Sequence, residues 1–328
     1  MSPWTIGILL MPLLAAQDSN ERVFPFTHAE TPQSFQEIAT VIRVMADGLH
    51  VSVDDAQRRL TVRGSTDQMA MAAWLFRELD TVVTPQPPDI VKHEYRVPGG
   101  NDDVIRVFLL NPNLPVQELQ EVATLIRAIA EIRRVFVYNG PRALALRGTA
   151  GQMVLAEWLV NALDKPSKTE FRLSGTNDDR VRVFHLAHAG TIQELQETAT
   201  LIRATSEVRR LFTYNAPRAI AIRGTSEELA LAVWLVDELD KPLDPQAAPR
   251  KSSGYHYAAG GLEGFVRIFY LPDTPTAQSF QQAAVQIRGA TKIRRVFTYN
   301  KSRALTLRGT SEQIAMAEQL IKERAKER

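Results

Sequence analysis

Arg209-Arg210-Leu211-Phe212-Thr213-Tyr214-Asn215, then Ala219-Ile220-Ala221-Ile222-Arg223-Gly224-Thr225, then a stretch through Trp234 to Leu239-Asp240-Lys241-Pro242, is a unit that the chain writes more than once. Arg294-Arg295-Val296-Phe297-Thr298-Tyr299-Asn300 with Ala304 to Thr310 is a second writing of it. Arg133 to Asn139 with Ala143 to Thr149 is a third, and Leu60-Thr61-Val62-Arg63-Gly64 with Trp74 is a reduced one. The glycines of the Arg-Gly pairs, Gly64, Gly148, Gly224 and Gly309, lie 84, 76 and 85 residues apart. Repetition at this length implies an array of small domains and argues against one large enzyme core.

Hydrophobic periods inside the unit set its architecture. Val181-Arg182-Val183-Phe184-His185-Leu186 alternates as a strand, and Thr191 to Ala204 places Leu195, Ala199 and Ile202 at helical spacing. Leu211 to Tyr214 and Ala219 to Ile222 read as two strands joined by the turn-forming Asn215-Ala216-Pro217-Arg218. Thr225 or Ser226 caps a second helix, Glu227 to Leu239, with Glu228 placed for a capping box and Pro242 beyond its end. The fold class is therefore α+β: a tandem array of four strand-helix-strand-strand-helix domains, each a three-stranded sheet with two helices on one face. Glu94-Tyr95-Arg96-Val97 and Glu170-Phe171-Arg172-Leu173 each precede an Asn-Asp-Asp turn and suggest an extra hairpin strand in copies two and three. The turns themselves, Asn101-Asp102-Asp103 and Asn177-Asp178-Asp179, lack the spaced oxygen ligands and distal glutamate of a known calcium loop.

These periods place domains at 22–82, 92–166, 168–242 and 254–328. Thr84-Pro85-Gln86-Pro87-Pro88-Asp89 and Pro242 to Pro249 are proline-rich connectors, and Lys165-Pro166-Ser167-Lys168 is a shorter junction. Ahead of them, the apolar run Ile6 to Ala16 ends in Ala15-Ala16 and a polar stretch. It reads as a signal peptide over 1–16, although Met1 to Trp4 carries no Lys or Arg. That implies export, to the periplasm or beyond, and no later segment has the apolar length of a membrane helix. With 45% hydrophobic residues the chain can bury cores, and its net charge of +2 gives no steer toward nucleic acid or acidic membrane. There are no cysteines, so disulfide frameworks and thiolate metal sites are excluded.

Comparing copies identifies the sheet face away from the helices. Copy one has His50, Ser52 and Asp54 on one face of its second strand and Val51 and Val53 on the other, so the second is the core face. By the same alternation, Arg134, Phe136 and Tyr138, then Arg210, Phe212 and Tyr214, then Arg295, Phe297 and Tyr299 lie on the uncovered face. Ala143, Ala145 and Arg147 lie beside them in copy two. Repeated arginine and aromatic surface of this kind points to an interface, between neighbouring units, between subunits or with a partner; the alternative is that linkers or the extra hairpin strand cover that face. Arg43, Arg127, Arg203 and Arg288 recur in one register of the first helix, as a cap or an ion-pair partner. Trp74, Trp158 and Trp234 give way to Gln319 in the last copy, which fits a side chain that packs on the next unit; a core position on the helix's own face is the alternative.

Catalytic signatures are absent: there is no Gly-x-Ser-x-Gly, phosphate-binding glycine loop or His-Glu-x-x-His, and His185 and His188 lack a third ligand nearby. No catalytic, cofactor or metal residue is therefore assigned. A nucleic-acid-binding KH-like array is the alternative, because arginines beside aromatics make stacking platforms. The Gly-x-x-Gly at Gly261-Leu262-Glu263-Gly264 falls outside the position of a KH clamp and carries an acid. A cryptic enzyme is a weaker alternative.

Each unit resembles the small N-terminal domain of the secretins, the ring-building motif of ring-forming outer-membrane channels of secretion systems and pili. The resemblance rests on Val183 to Ala189 leading into a Leu-rich helix, the aliphatic strand Ala219 to Ile222, the helix start Gly224-Thr225-Ser226-Glu227 and the closing Leu239 to Pro242. It implies the strand-helix-strand-strand-helix fold, a periplasmic location and assembly without catalysis. Two positions depart from the family: its usual Asn before the aliphatic strand is Arg142, Arg218 or Arg303, and its Pro after Gly-Thr is Ala150, Ser226 or Ser311. With no channel-forming domain after Lys326-Glu327-Arg328, the chain alone is not expected to form a pore. The expected function is a non-enzymatic scaffold or adaptor, joining protein partners or copies of itself through its sheet faces, with no small-molecule substrate.

Overall fold

A computed structural model describes residues 20–82, 91–165, 169–243 and 250–326. The signal-peptide segment, the connector over 84–89, Pro166 to Lys168 and Asp244 to Pro249 lie outside the described residues. Repeat 1 comprises β1 (Asn20–Pro25), α1 (Pro32–Met45), β2 (His50–Asp54), β3 (Arg59–Gly64) and α2 (Thr66–Leu79). Repeat 2 comprises β4 (Val91–Arg96), β5 (Val104–Leu109), α3 (Val116–Ile129), β6 (Arg134–Tyr138), β7 (Ala143–Gly148) and α4 (Ala150–Asp164). Repeat 3 runs β8 (Glu170–Arg172), β9 (Arg180–His185), α5 (Ile192–Ser206), β10 (Arg210–Tyr214), β11 (Ala219–Gly224) and α6 (Ser226–Leu239). Repeat 4 runs β12 (Ser253–His256), a 3-10 turn (Ala258–Glu263), β13 (Phe265–Tyr270), α7 (Ala277–Thr291), β14 (Arg295–Tyr299), β15 (Ala304–Gly309) and α8 (Ser311–Lys326).

Among the described residues the four sheets are small and antiparallel. The first has three strands, β1–β3–β2, and the others four, as in β8–β9–β11–β10. The three-stranded expectation therefore holds only for repeat 1. In the rest a further strand pairs with the opening one, and repeat 4 has it too, although the sequence suggests it only in copies two and three. Two compact units divide the chain, one of residues 1–112 with 136–145, the other of 113–135 with 146–328.

Most of the helices begin at a side-chain cap that the sequence supplies; α3, which follows Pro115, has none. Ser65, Thr149 and Thr225 close capping boxes with Gln68, Gln152 and Glu228, satisfying two otherwise orphaned amides apiece. The preceding glycine makes room for this: a Cβ on Gly224 would stand 2.6 Å from Glu228 Oε2 and 3.1 Å from Val208 Cγ2. The Asp of the closing Leu-Asp motif has a structural task. Asp80 is buried and accepts from the backbone amides of Thr27, His28 and Ala29, and Asp240 accepts from those of Ala187 and His188. A helix end is thereby tied to the loop after the opening strand by charge-assisted bonds.

The arginines that replace the secretin-like Asn are the residues that need explaining. Arg58, Arg142, Arg218 and Arg303 all have φ between 50° and 55°, the left-handed conformation for which Asn is well suited. Their backbone carbonyls accept from Phe26, Leu110, Leu186 and Leu271. Arg303 also spends its guanidinium on the carbonyls of Thr274, Pro275 and Asn300. Side-chain bonds thus hold a bulky residue where the backbone alone would favour a smaller one.

Candidate protein interface at the repeat junctions

The central strands show how the sheets are used. In repeat 1, β3 alternates between buried and exposed positions, the pattern of a sheet covered on one face. In β7, β11 and β15 every residue is buried, so both faces are covered. The second cover comes from the preceding repeat. The buried cluster of α5 and α6 of repeat 3 runs on into Val266, Ile268, Tyr299 and Ala304 of repeat 4, and that of α1 and α2 into Ile105, Val107, Tyr138, Ala143 and Ala145. Small residues on that outer face, Ala219 and Ala221 or Ala304, let the helix come close.

Two contacts recur at all three junctions, and another, the arginine network, at the junctions into repeats 3 and 4. The first is a carboxylate clamp on the strand end. Glu37 accepts from the amide and side chain of Asn139 at 2.9 and 2.7 Å. Glu121 does the same for Asn215 at 2.9 and 2.7 Å, and Glu197 for Asn300 at 3.1 and 3.0 Å. The second is an arginine network. Glu131 and Glu207, in left-handed conformation just past α3 and α5, meet Arg210 with Arg223 and Arg295 with Arg308 of the following repeat. Buried Arg223 also donates to Ile129 O (2.9 Å) and Asp178 O (3.2 Å). Arg308 donates to Thr205 O and to Glu263 O (3.0 Å), so each guanidinium caps the end of a neighbouring helix. Asp178, from the Asn-Asp-Asp turn, completes the network of repeat 3 through Arg210 and Arg223; here it is an arginine partner. The third contact is aromatic. Trp74 meets Tyr95, Trp158 meets Phe171 and Trp234 meets Tyr255, with centroids 5.3, 5.7 and 5.4 Å apart, so each tryptophan packs on the extra strand of the next repeat.

No family model matches the chain, and no curated protein matches it either. Among solved structures, the N-terminal domain of the secretin XcpQ from Pseudomonas aeruginosa is 14% identical, with 45% of this chain and 63% of that one covered and a TM-score of 0.20. Aeromonas hydrophila ExeD is 16% identical over 68% of this chain and 41% of its own, with a TM-score of 0.17. The structure of XcpQN012 is 14% identical over 69% of this chain and all of its own, with a TM-score of 0.24. This chain therefore spans less than two thirds of the length of the first two.

The residues expected on the uncovered face occupy graded positions. Tyr138, Tyr214 and Tyr299 are buried, the second donating to Glu118 at 3.2 Å. Arg134, Arg210 and Arg295 and the three phenylalanines Phe136, Phe212 and Phe297 are half-buried. Phe297 lines a groove of about 400 Å³ between α5 and α7, together with Leu201, Gln281 and Val285. Among the described residues, the arginine repeated in the first helix bonds to neither a helix end nor an acid. Arg43, Arg127, Arg203 and Arg288 each donate to a carbonyl of the outermost strand, at Val51, Val135, Leu211 and Val296. This occupies an acceptor that a sheet edge would otherwise present to other chains. Among the described residues, no group of three or more His, Asp or Glu is placed to hold a metal ion.

Burial gives the junctions a pH signature. It pushes the Tyr138 and Tyr299 hydroxyls up to about 12 and raises Tyr214 as well, with nearby carboxylates adding to the shift. Below pH 10 these tyrosines are protonated whether folded or not, so their contribution is intact. Above it the unfolded chain releases protons that the folded chain keeps, and stability falls as pH rises through about 12. Each of Tyr138 and Tyr299 is expected to lose roughly 2–3 kcal/mol over that window. Tyrosinate absorbance followed together with unfolding checks this; titration of all tyrosines near pH 10 with no loss of structure would contradict it.

Proposed function

We propose that the chain is a non-enzymatic protein-assembly scaffold of a secretion or pilus-type envelope system, exported to the periplasm. The observation that carries the scaffold reading is the junction itself. The same clamp and aromatic contact recur at all three junctions and the arginine network at two of them, so the distinctive residues of this chain join protein surfaces together. Its envelope setting rests on the apolar run at 6–16 and on the secretin-like motifs, whose Asp80 and Asp240 act as loop ties. No helix among the described residues is long and apolar enough to cross a membrane.

The arginine and aromatic faces join consecutive repeats first, and partners meet the chain at what those junctions leave accessible, of which the Phe297 groove is the clearest instance. A nucleic-acid array is disfavoured by burial, since bases stack on exposed rings and the tyrosines here lie under a neighbouring helix. A photo-crosslinking residue in place of Gln281, at the groove, tests the proposal in the producing cell. A discrete protein adduct in the envelope fraction is expected. Recovery of the chain in the cytoplasm, or adducts no stronger than those from buried Leu201, would overturn it.

A further inference from the structure

Among the described residues, two faces of the repeat series lack the contacts just described, and both are chemically altered where those contacts would form. On repeat 1, His50, Ser52, Asp54 and Asp55 stand where later repeats have Arg, Phe, Tyr and Asn, and all four are exposed. Arg59 and Thr61 stand where repeats 2 and 3 have alanines pressed under a helix. A bulky arginine at that point keeps an incoming helix away from the sheet.

Repeat 4 is altered on its helical side. Gln282 replaces the clamping Glu37, Glu121 and Glu197, and Lys292 replaces Glu131 and Glu207 while keeping their left-handed backbone. Gln286 replaces the buried Val41, Leu125 and Leu201, and Gln319 replaces the tryptophan. Where the apolar type is kept, the surroundings are missing: Met316 is 48% exposed, whereas Met71, Leu155 and Leu231 in its register are 4%, 1% and 0%.

We propose that these are closing faces, which stop the series from accepting another repeat and so keep copies of the chain from joining end to end through the junction chemistry. Docking repeat 4 on repeat 1 of a second copy would set Lys292 against His50 and Arg63 in place of an acid against two arginines. It would also bury Gln286 where an aliphatic side chain belongs. Like charges brought together and a desolvated amide each oppose association. Polar outer faces on terminal repeats have this effect in stacked-repeat proteins generally, and without them a head-to-tail interface that does not close generates filaments.

The test restores both faces in the full chain. One version carries Gln282→Glu, Gln286→Leu, Lys292→Glu and Gln319→Trp; the other carries His50→Arg, Ser52→Phe, Asp54→Tyr, Asp55→Asn, Arg59→Ala and Thr61→Ala. By light scattering, each alone is expected to keep the mass of the parent, and an equimolar mixture at least to double it. An unchanged mixture of two folded versions would overturn the proposal. Should either fail to fold, the parent with Asp55→Cys and Gln282→Cys decides, since the chain has no other cysteine. No disulfide between copies under mild oxidation supports closing faces, and efficient cross-linking refutes them.

Discussion

Arg308→Ala is expected to cost about 3 kcal/mol, the largest loss from any single truncation at the last junction. Arg308 is 2% exposed, and its three nitrogens point in three directions: to Thr205 O, to Glu263 O at 3.0 Å and to the Glu207 carboxylate at 3.3 Å. Its guanidinium also lies 4.7 Å over the Tyr257 ring. Removing it leaves two carbonyls without a donor and a void beside the ring. The Glu207 side chain is 52% exposed and regains water, which keeps the cost at the lower end of that for broken buried pairs. Arg308→Lys is expected to recover less than half, because a point donor cannot serve three acceptors. Arg63→Ala, in the same register of repeat 1 but with a 61% exposed side chain paired to Glu21, is the control and should fall within about 0.5 kcal/mol of the parent. Urea unfolding with amide exchange of β15 reads the difference. A loss under 1 kcal/mol for Arg308→Ala would mean that the network is ornamental.

The second large effect is expected from Ala219→Arg, which copies into repeat 3 the residue that repeat 1 carries as Arg59. Ala219 is fully buried, on the face that α3 covers, level with Tyr214 and His185 on the adjacent strands. An arginine there has no space, so the helix must lift or the charge must be buried, at a cost above roughly 3 kcal/mol. Amides of α3 and β10 should exchange faster while those of β15 keep their protection. Arg59→Ala, the reverse change on an exposed residue, should be close to neutral. Equal stability of Ala219→Arg and the parent would show that the outer face of the third sheet is not held shut.

Much of this was legible in the chain. The alternation of His50, Ser52 and Asp54 against Val51 and Val53 identified which side of each sheet faces its own helices. The Gly-Thr and Leu-Asp positions located helix ends to within one or two residues. What covers the other side was harder to read, because Ala-Ile-Ala-Ile in β11 suits both a half-exposed strand and one buried on both faces. The alanines were the available clue, being too small to form a sticky surface but well sized for a close helix. The clamping glutamates escaped notice for another reason: a single Glu on a helix is ordinarily solvated. Glu37, Glu121 and Glu197 stand out only when set in register with Asn139, Asn215 and Asn300, which lie about a hundred residues further on.

The altered end residues bear on how such a chain can change length over generations. Duplication of an inner copy inserts a unit whose two sides already match its neighbours, and both closing faces survive. Duplication of the first copy would trap Arg59 and Asp54 under a helix, and duplication of the last would bury Gln286 and Lys292. Growth from the middle is thus the route that leaves both altered faces where they are.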